Sequence, residues 1–248
     1  MQMLGSVLFT TLLLVMTPLW GLAMFCVFFL PHRGQFALAR AWAATMLWLL
    51  EFFCRLDYRV QGLENLPAGA HVALWKHSSS WETIAQMVIL PPQVWVLKRE
   101  LMWVPFVGWG LALTRPIAIN RSAGHAAVKH VVEQGKKRIA RGYWVSIFPE
   151  GTRMPAGETR KYGVSGVLLA QAAGCLMVPI AHNAGHFWPR RGLRKEPGTV
   201  RVVVGLPVDP RDRDPRRLNE ELQAWVENQV RSMGSPQSGH DLGVAKTD

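Results

Sequence analysis

A histidine and a glutamate in one short turn are the residues of this sequence best suited to acid–base chemistry. His77 and Glu82 lie in the stretch LWKHSSSWET (74–83), where an apolar run meets a serine-rich turn. A carboxylate that accepts from the Nδ1–H of an imidazole leaves Nε2 free to take a proton from a hydroxyl group. With eight histidines and 17 acidic residues, this spacing also arises readily by chance. The pair alone leaves two readings open: a general base, or a surface histidine beside a helix-start glutamate.

A second candidate turn, PEGTR (149–153), follows the apolar run Tyr143–Phe148, which predicts a buried strand. The turn places a carboxylate and a guanidinium at the carboxyl end of that strand, the edge at which open α/β sheets bind ligands. A planar guanidinium suits a phosphate because it can donate to two oxygens at once. The alternative is a turn closed by an exposed ion pair between Glu150 and Arg153, worth under about 1 kcal/mol.

Strand and helix patterns alternate around both turns and predict an α/β fold with a mixed, largely parallel sheet flanked by helices. The predicted strands are Tyr58–Val60, His71–Trp75, Val94–Leu97, Ile117–Ile119, Tyr143–Phe148, Leu176–Ala181 and Val200–Val204, and the predicted helices are Trp81–Leu90, 128–141, Val164–Ala173 and one that begins at Pro215. Pro179 predicts a bulge or an edge position for its strand. We interpret His182 and His186 as loop histidines rather than metal ligands, because Gly and Asn surround them.

The first 31 residues contain no Asp, Glu, Lys or Arg, and Leu4–Leu30 is long enough to cross a bilayer. A second apolar segment, Phe36–Cys54, contains two charges. We expect residues 1–56 to form a membrane-anchoring helical hairpin, or a span followed by an interfacial helix; the alternative is a buried helix pair of a soluble protein. Residues 57–232 form the globular domain, and 233–248 are Gly/Ser-rich and expected to be disordered. Because the cations begin after the anchor, the domain is expected on the cytoplasmic face of a membrane.

The composition favours an anionic partner. The net charge is +11 and the pI is about 10.2, which fits nucleic acid, an anionic membrane surface or a phosphorylated substrate. Eleven Trp against three Tyr is typical of membrane interfaces, so we expect no nucleic acid partner. Three scattered cysteines without ligand spacing argue against a structural metal and a disulfide framework. The charge-free stretch Met102–Trp109 fits either a core segment or a lip for an acyl chain or membrane.

Four blocks in order resemble the glycerolipid acyltransferase family, whose best-known activity is acylation of 1-acylglycerol-3-phosphate. The blocks, which span roughly Gly62–Gly185, are His77–Glu82, Lys98–Leu101 with Val104–Trp109 and Ile117–Arg121, Phe148–Arg153, and Val178–Ile180. An ordered set of this kind is far more specific than one histidine–acid spacing. The family pattern usually has Asp where this chain has Glu82. We expect the pair to survive this change, because orienting an imidazole needs only a carboxylate within hydrogen-bond reach.

The resemblance implies a glycerol-3-phosphate acyltransferase-like fold, no cofactor and no metal. It implies transfer of a fatty acyl group from an acyl thioester, either acyl-CoA or acyl carrier protein, to the sn-2 hydroxyl of lysophosphatidic acid, giving phosphatidic acid. The implied roles are His77 as general base, Glu82 as its partner, Lys98, Arg121 and Arg153 on the acceptor phosphate, Glu150 on the glycerol hydroxyls, and Gly151 and Thr152 in the same substrate-binding turn.

Two alternatives remain at this stage. The acceptor could be another lyso-lipid, such as a lyso-ornithine lipid or a lysophospholipid with a larger head group. The chain could also be a non-catalytic membrane lipid-binding protein, although an intact His77 and Glu82 argue against that. Backbone N–H groups of the turn 78–80 are the candidate donors to the oxyanion that acyl transfer forms.

Overall fold

A computed structural model of the chain describes residues 1–234. Seven strands form one sheet in the order β1-β7-β6-β2-β5-β3-β4. The strands are β1 Leu56–Gln61, β2 Val72–Trp75, β3 Gln93–Lys98, β4 Ile117–Ile119, β5 Trp144–Ile147, β6 Met177–His182 and β7 Gly198–Val204. All neighbouring pairs are parallel except β6–β7, which is antiparallel. This confirms the predicted mixed, largely parallel sheet.

Helices cover both faces of the sheet. They are α1 Gln2–Cys26, α2 His32–Cys54, α3 Trp81–Ile89, α4 Val107–Leu113, α5 His125–Ile139, α6 Ser165–Ala173, α7 Ala184–Phe187 and α8 Pro215–Met233. The predicted tail begins at 233; Met233 belongs to α8, and residues from 235 onward lie outside the described part of the chain.

The central strands are apolar along their whole length because both of their faces are buried. In β2 the side chains alternate: Val72 and Leu74 pack into one core with residues of α6 and α8, whereas Ala73 and Trp75 pack into the other with residues of α2 and α3. All four are fully buried. This period of two is the geometry of an extended strand between two layers of helices. It leads the chain directly from the core to His77 at the carboxyl edge.

Of the two alternatives predicted for Pro179, a bulge or an edge position, the edge position is wrong. β6 is an interior strand, between β7 and β2. The carbonyl of Pro179 faces the β7 side, where it accepts from the N–H of Gly205, and the β6–β7 ladder covers only Ile180–His182. The nitrogen of Pro179 points to this same side, beyond the end of the ladder. An interior proline is tolerated here because it costs the sheet a single hydrogen bond, at the position where the β6–β7 ladder ends.

The two N-terminal apolar segments form long helices that pack against the globular domain. Pro18 and Gly21 do not interrupt α1. Gly21 instead allows close contact with α4: a Cβ there would lie 2.2 Å from the Phe106 carbonyl oxygen. By length and composition both helices could cross a membrane, a test that buried helices of soluble proteins also pass. Large apolar side chains remain exposed along α1 and the following loop, among them Leu14, Leu19, Phe25, Phe28 and Phe29. This exposed face is compatible with membrane association.

The charge-free stretch Met102–Trp109 is not part of the core. Trp103, Val104, Phe106 and Trp109 are all exposed, and Trp109 lies beside Phe25 of α1 with ring centroids 6.3 Å apart. The stretch therefore extends the apolar surface of the hairpin, so the core interpretation is wrong and the lip interpretation stays a prediction.

Candidate active site

Glu82 organises the turn between β2 and α3. Its Oε1 accepts from Nδ1 of His77 at 2.8 Å and from the N–H groups of Ser78 and Ser79 at 2.9 Å each. Oε2 accepts a second, 3.0 Å contact from Ser79. Burial alone would raise the pKa of Glu82, but His182, His77 and the Ser79 N–H outweigh it and hold the pKa below its usual value. The buried carboxylate therefore stays ionised and fixes the imidazole.

His77 presents its second nitrogen to the opening of the site. The side chain is 9% exposed, and its ring stacks on Phe148 with centroids 4.3 Å apart. Because Nδ1 is bound to Glu82, the neutral imidazole carries its proton on Nδ1 and its lone pair on Nε2. Among residues 1–234, Nε2 has no hydrogen-bond partner. The arrangement can accept a proton from a hydroxyl group placed above the ring.

Glu150 lies beneath the histidine rather than in the open cleft. Its Oε2 accepts from the backbone N–H of His77 at 2.7 Å, and its Oε1 accepts from Lys76 Nζ at 2.8 Å. Its side chain is fully buried. Burial raises the pKa of Glu150 to about 7, although Lys76 and the His77 N–H both lower it. With both oxygens engaged, Glu150 does not face an acceptor, so the expected contact with glycerol hydroxyls has no support in this geometry.

Lys76 joins the turn that carries His77 to helix α8, a connection that sequence reasoning missed. Its ammonium contacts Glu150, the carbonyl of Glu158 and Oε1 of Glu227 on α8 at 2.8–2.9 Å. Tyr162 also donates to Glu227, at 2.8 Å. Only 2% of the Lys76 side chain is exposed. The sequence signal that could have predicted this network is a lysine directly after an apolar strand. A cation in that position is buried, and a buried cation requires buried anions as partners.

His182 is not a loop residue, contrary to the sequence interpretation. It is the last residue of β6 and is fully buried. Its Nε2 donates to the Lys76 carbonyl at 2.9 Å and lies 3.8 Å from Oε2 of Glu82, while Nδ1 accepts from the N–H of Ala184 at 3.2 Å. Burial lowers its pKa. A second histidine thus supports the turn from behind. His186 lies in α7.

The expected phosphate ligands lie around the rim of the same site. Arg153 donates to the hydroxyl of Ser80, which is the N-cap of α3. Desolvation, and repulsion by Arg153, lower the pKa of Arg121, so these two guanidinium groups are near one another. Lys98, at the end of β3, lies 3.6 Å from Glu100 and is half exposed. The carboxyl ends of β3, β4 and β5 therefore bring Lys98, Arg121 and Arg153 to one edge of the sheet.

Two further expectations concern the turns. Gly151 has φ +66°, a left-handed conformation that favours glycine, and Thr152 beside it is partly buried. The expectation that the turn 78–80 donates to an oxyanion is wrong for Ser78 and Ser79. Their N–H groups already bind Glu82.

Among residues 1–234, no three His, Cys, Asp or Glu side chains form a metal-binding group.

A buried histidine–carboxylate pair with a free Nε2, set beside cations at the carboxyl edge of an α/β sheet, is an arrangement for acyl transfer to a hydroxyl group. Comparison with known proteins agrees. The family described as Acyltransferase matches residues 57–183. The 1-acyl-sn-glycerol-3-phosphate acyltransferase of Pseudomonas aeruginosa is 43% identical over 230 residues, 91% of this chain and 90% of that protein.

More distant similarity points the same way. The yeast (Saccharomyces cerevisiae) enzyme of that name is 32% identical over 130 residues, 51% of this chain and 41% of that protein. The crystal structure of the 1-acyl-sn-glycerophosphate acyltransferase of Thermotoga maritima superposes with a TM-score of 0.80 at 20% identity, covering 96% of this chain and 98% of that one, which shows the shared fold. The chain therefore belongs to the acyltransferase family. Within it, the chain is an enzyme of the 1-acylglycerol-3-phosphate O-acyltransferase kind, which confirms the resemblance seen in the sequence.

Proposed function

We propose that the enzyme transfers a fatty acyl group from an acyl thioester to the sn-2 hydroxyl of lysophosphatidic acid, giving phosphatidic acid for phospholipid synthesis. The observation that carries the proposal is the buried pair of His77 and Glu82, with Nε2 free and the cations Arg121 and Arg153 nearby. The acceptor named for the Pseudomonas relative supports the choice of substrate.

The proposed reaction is direct transfer. His77 Nε2 removes the proton of the acceptor hydroxyl while that oxygen attacks the thioester carbonyl. Glu82 then stabilises the imidazolium through the 2.8 Å contact to Nδ1. The carbon–sulfur bond breaks as the ester forms, and the thiolate, whose conjugate thiol has a pKa near 8.5, leaves and receives the proton from the imidazolium or solvent. No acyl-enzyme is required.

Acceptor binding is assigned to the cations at the rim. Arg153, Arg121 and Lys98 would neutralise the phosphate, with Gly151 and Thr152 shaping the turn that carries Arg153. This fixes the acceptor hydroxyl near His77, and positioning of this kind supplies much of the rate in two-substrate reactions. We revise the role of Glu150: by accepting from the His77 N–H, it positions the histidine backbone instead of the acceptor.

The donor and the location complete the proposal. Both acyl-CoA and acyl carrier protein present a thioester, and either would satisfy the chemistry at His77. We place the enzyme on a membrane through residues 1–56, with the globular domain on the cytoplasmic face, because cations begin only after α1. An anionic lipid surface would then attract the basic domain.

The test is acyl transfer by the purified, detergent-solubilised protein, with mass spectrometry of the lipid products. Lysophosphatidic acid is offered beside lyso-ornithine lipid and lysophosphatidylcholine, with both acyl-CoA and acyl carrier protein as donors. His77→Ala should lose at least about a hundredfold in turnover, whereas His130→Ala, an exposed histidine of α5, should keep normal activity. Phosphatidic acid as the main product supports the proposal. A different product would move the acceptor, and lipid binding without turnover would overturn the catalytic role.

A further inference from the structure

Four arginines meet at the edge of the sheet opposite the active site. Arg33 lies in the first turn of α2, Arg115 follows α4, Arg138 lies in the last turn of α5, and Arg141 lies two residues beyond that helix. Arg138 Nε donates to the Arg115 carbonyl at 3.1 Å. Within residues 1–234, none of the four forms a salt bridge with a carboxylate. Clustered like charges without a counter-ion cost free energy, which an anionic ligand would recover.

A cavity of about 590 Å³ opens beside this cluster. Its lining includes Arg33, Arg141, Tyr143, Trp144 and the backbone of Gly142. The cavity size lies in the range usual for small-molecule sites. Two guanidinium groups and the Tyr143 hydroxyl can donate to the oxygens of a phosphate, the chemistry in which arginine exceeds lysine.

His32 provides a second, independent observation. It is 2% exposed, and among residues 1–234 neither ring nitrogen makes a hydrogen bond of good geometry, although the backbone carbonyl of Leu113 lies near the ring. Its ring lies 4.2 Å from that of Tyr143, which lines the cavity, and the charges of Arg115 and Arg138 act on it. Buried polar atoms without partners are rare, and this ring packs against Tyr143, directly behind the cavity lining.

The surroundings indicate where such a ligand comes from. The loop directly before His32 exposes Phe28 and Phe29, and Phe25 is exposed at the end of α1. The cavity therefore borders the apolar surface that we place against the lipid. It is distinct from the active site, because Trp144 at the amino end of β5 is separated from Phe148 at the carboxyl end by four residues, about 13 Å along a strand.

We propose that the arginine cluster and its cavity form a discrete binding site for the anionic head group of a membrane phospholipid. The site recognises a phosphate that remains attached to its lipid, with the acyl chains lying along the exposed face of the hairpin. This inference rests on the proposed membrane association but not on the choice of acceptor or donor.

The test measures co-sedimentation of the full-length protein with vesicles of phosphatidylcholine, with and without one-fifth phosphatidylglycerol. Wild-type protein should bind the anionic vesicles more tightly. Arg33→Gln/Arg141→Gln should weaken that binding on the order of thirtyfold, from the attraction of two cations. The matched control Lys136→Gln/Lys137→Gln removes the same charge from the same end of α5, outside the cavity lining, and should change binding much less.

Three other outcomes of the vesicle experiment would each overturn the proposed site. Equal losses in the two double variants would mean diffuse attraction and would overturn the site. Arg33→Lys/Arg141→Lys keeps the charge but not the planar fork, so full binding by this variant would also overturn it. Equal wild-type binding to both vesicle types would reject the site while leaving membrane association intact, whereas no binding to either would reject membrane association itself. Acyl transfer in detergent should be unchanged in all variants, which shows that they are folded.

Discussion

The length of the acidic side chain at position 82 is the feature of this active site that can be tested most directly. Its Oε1 receives three donors at 2.8–2.9 Å: Nδ1 of His77 and the N–H groups of Ser78 and Ser79. Glu82→Asp keeps the charge but withdraws the carboxylate by one carbon–carbon bond, about 1.5 Å. Contacts of 2.8 Å would then exceed 4 Å, outside hydrogen-bond range.

The expected losses follow from these distances. Two buried N–H groups left without an acceptor cost about 1–3 kcal/mol each, so Glu82→Asp should lower the free energy of unfolding by about 2 kcal/mol or more. A general base displaced by about 1 Å loses roughly a hundredfold in rate. Glu82→Gln has the opposite profile: its amide oxygen still reaches the N–H groups, but it cannot stabilise an imidazolium, and replacing a carboxylate by an amide in such a pair costs about 10⁴-fold in rate.

The assay compares kcat and KM for acyl transfer with urea unfolding of the same preparations. We expect Glu82→Asp to lose more stability and Glu82→Gln to lose more turnover. Glu133→Asp, the same shortening on the exposed face of α5, should change neither quantity. Wild-type turnover and stability in Glu82→Asp would refute the reasoning, because it would show that the turn moves to meet a shorter acid.

Three further outcomes test the surroundings of the dyad. Lys76→Met should reduce the free energy of unfolding by about 3–5 kcal/mol, because it leaves Glu150 and Glu227 buried without their cation. Adding Glu227→Gln to this variant should restore part of the lost stability in urea titrations. If it restores none, the ion network is contradicted. The pKa of Glu150 is raised from 4.5 to about 7 in the folded state, so the wild type should lose stability relative to Glu150→Gln as the pH rises from about 4.5 to 7. Unfolding measured at pH 5 and pH 7 tests this. If the two proteins differ in free energy of unfolding by the same amount at both pH values, the raised pKa is contradicted. Arg153→Ala should raise KM for lysophosphatidic acid about tenfold or more, the worth of a charged hydrogen bond, with little effect on a phosphate-free monoacylglycerol; equal effects on both would reject the phosphate contact.

The prediction of the fold succeeded where the pattern was local and strong. The apolar run of β2, the amphipathic face of α5 and the proline at the start of α8 each lie within one element, and each element formed where it was expected. The prediction failed at Pro179, because an edge position was inferred from a missing N–H without knowledge of what faces it. Sheet order depends on which strands pair, and residues 177–182 do not encode that alone.

The candidate site divides in the same way. His77 and Glu82 meet because a strand-to-helix turn of five residues leaves little freedom, so their contact could be predicted once the four ordered blocks favoured the general-base reading. His182 was misassigned because glycine and asparagine beside it indicated a loop, whereas packing placed it at the end of a buried strand. Glu150 was assigned to the acceptor through the family resemblance, which says nothing about the side chains that surround it in this fold. Lys76 directly precedes the first family block and belongs to none of the four. Its ammonium binds Oε1 of Glu150 and holds that carboxylate inside the protein.

By itself, the sequence determined most of the strands and helices, the turn that joins His77 to Glu82, and the resemblance to the family, since all three depend on short spacings and ordered motifs. Only the tertiary structure decided which distant charges meet. Lys76 finds Glu227 across 151 positions of the chain, and Arg33 shares a cavity with Arg141. The physical reason is that backbone geometry restricts neighbours a few residues apart to few arrangements, whereas contacts between distant residues exist only after the sheet has brought their elements together.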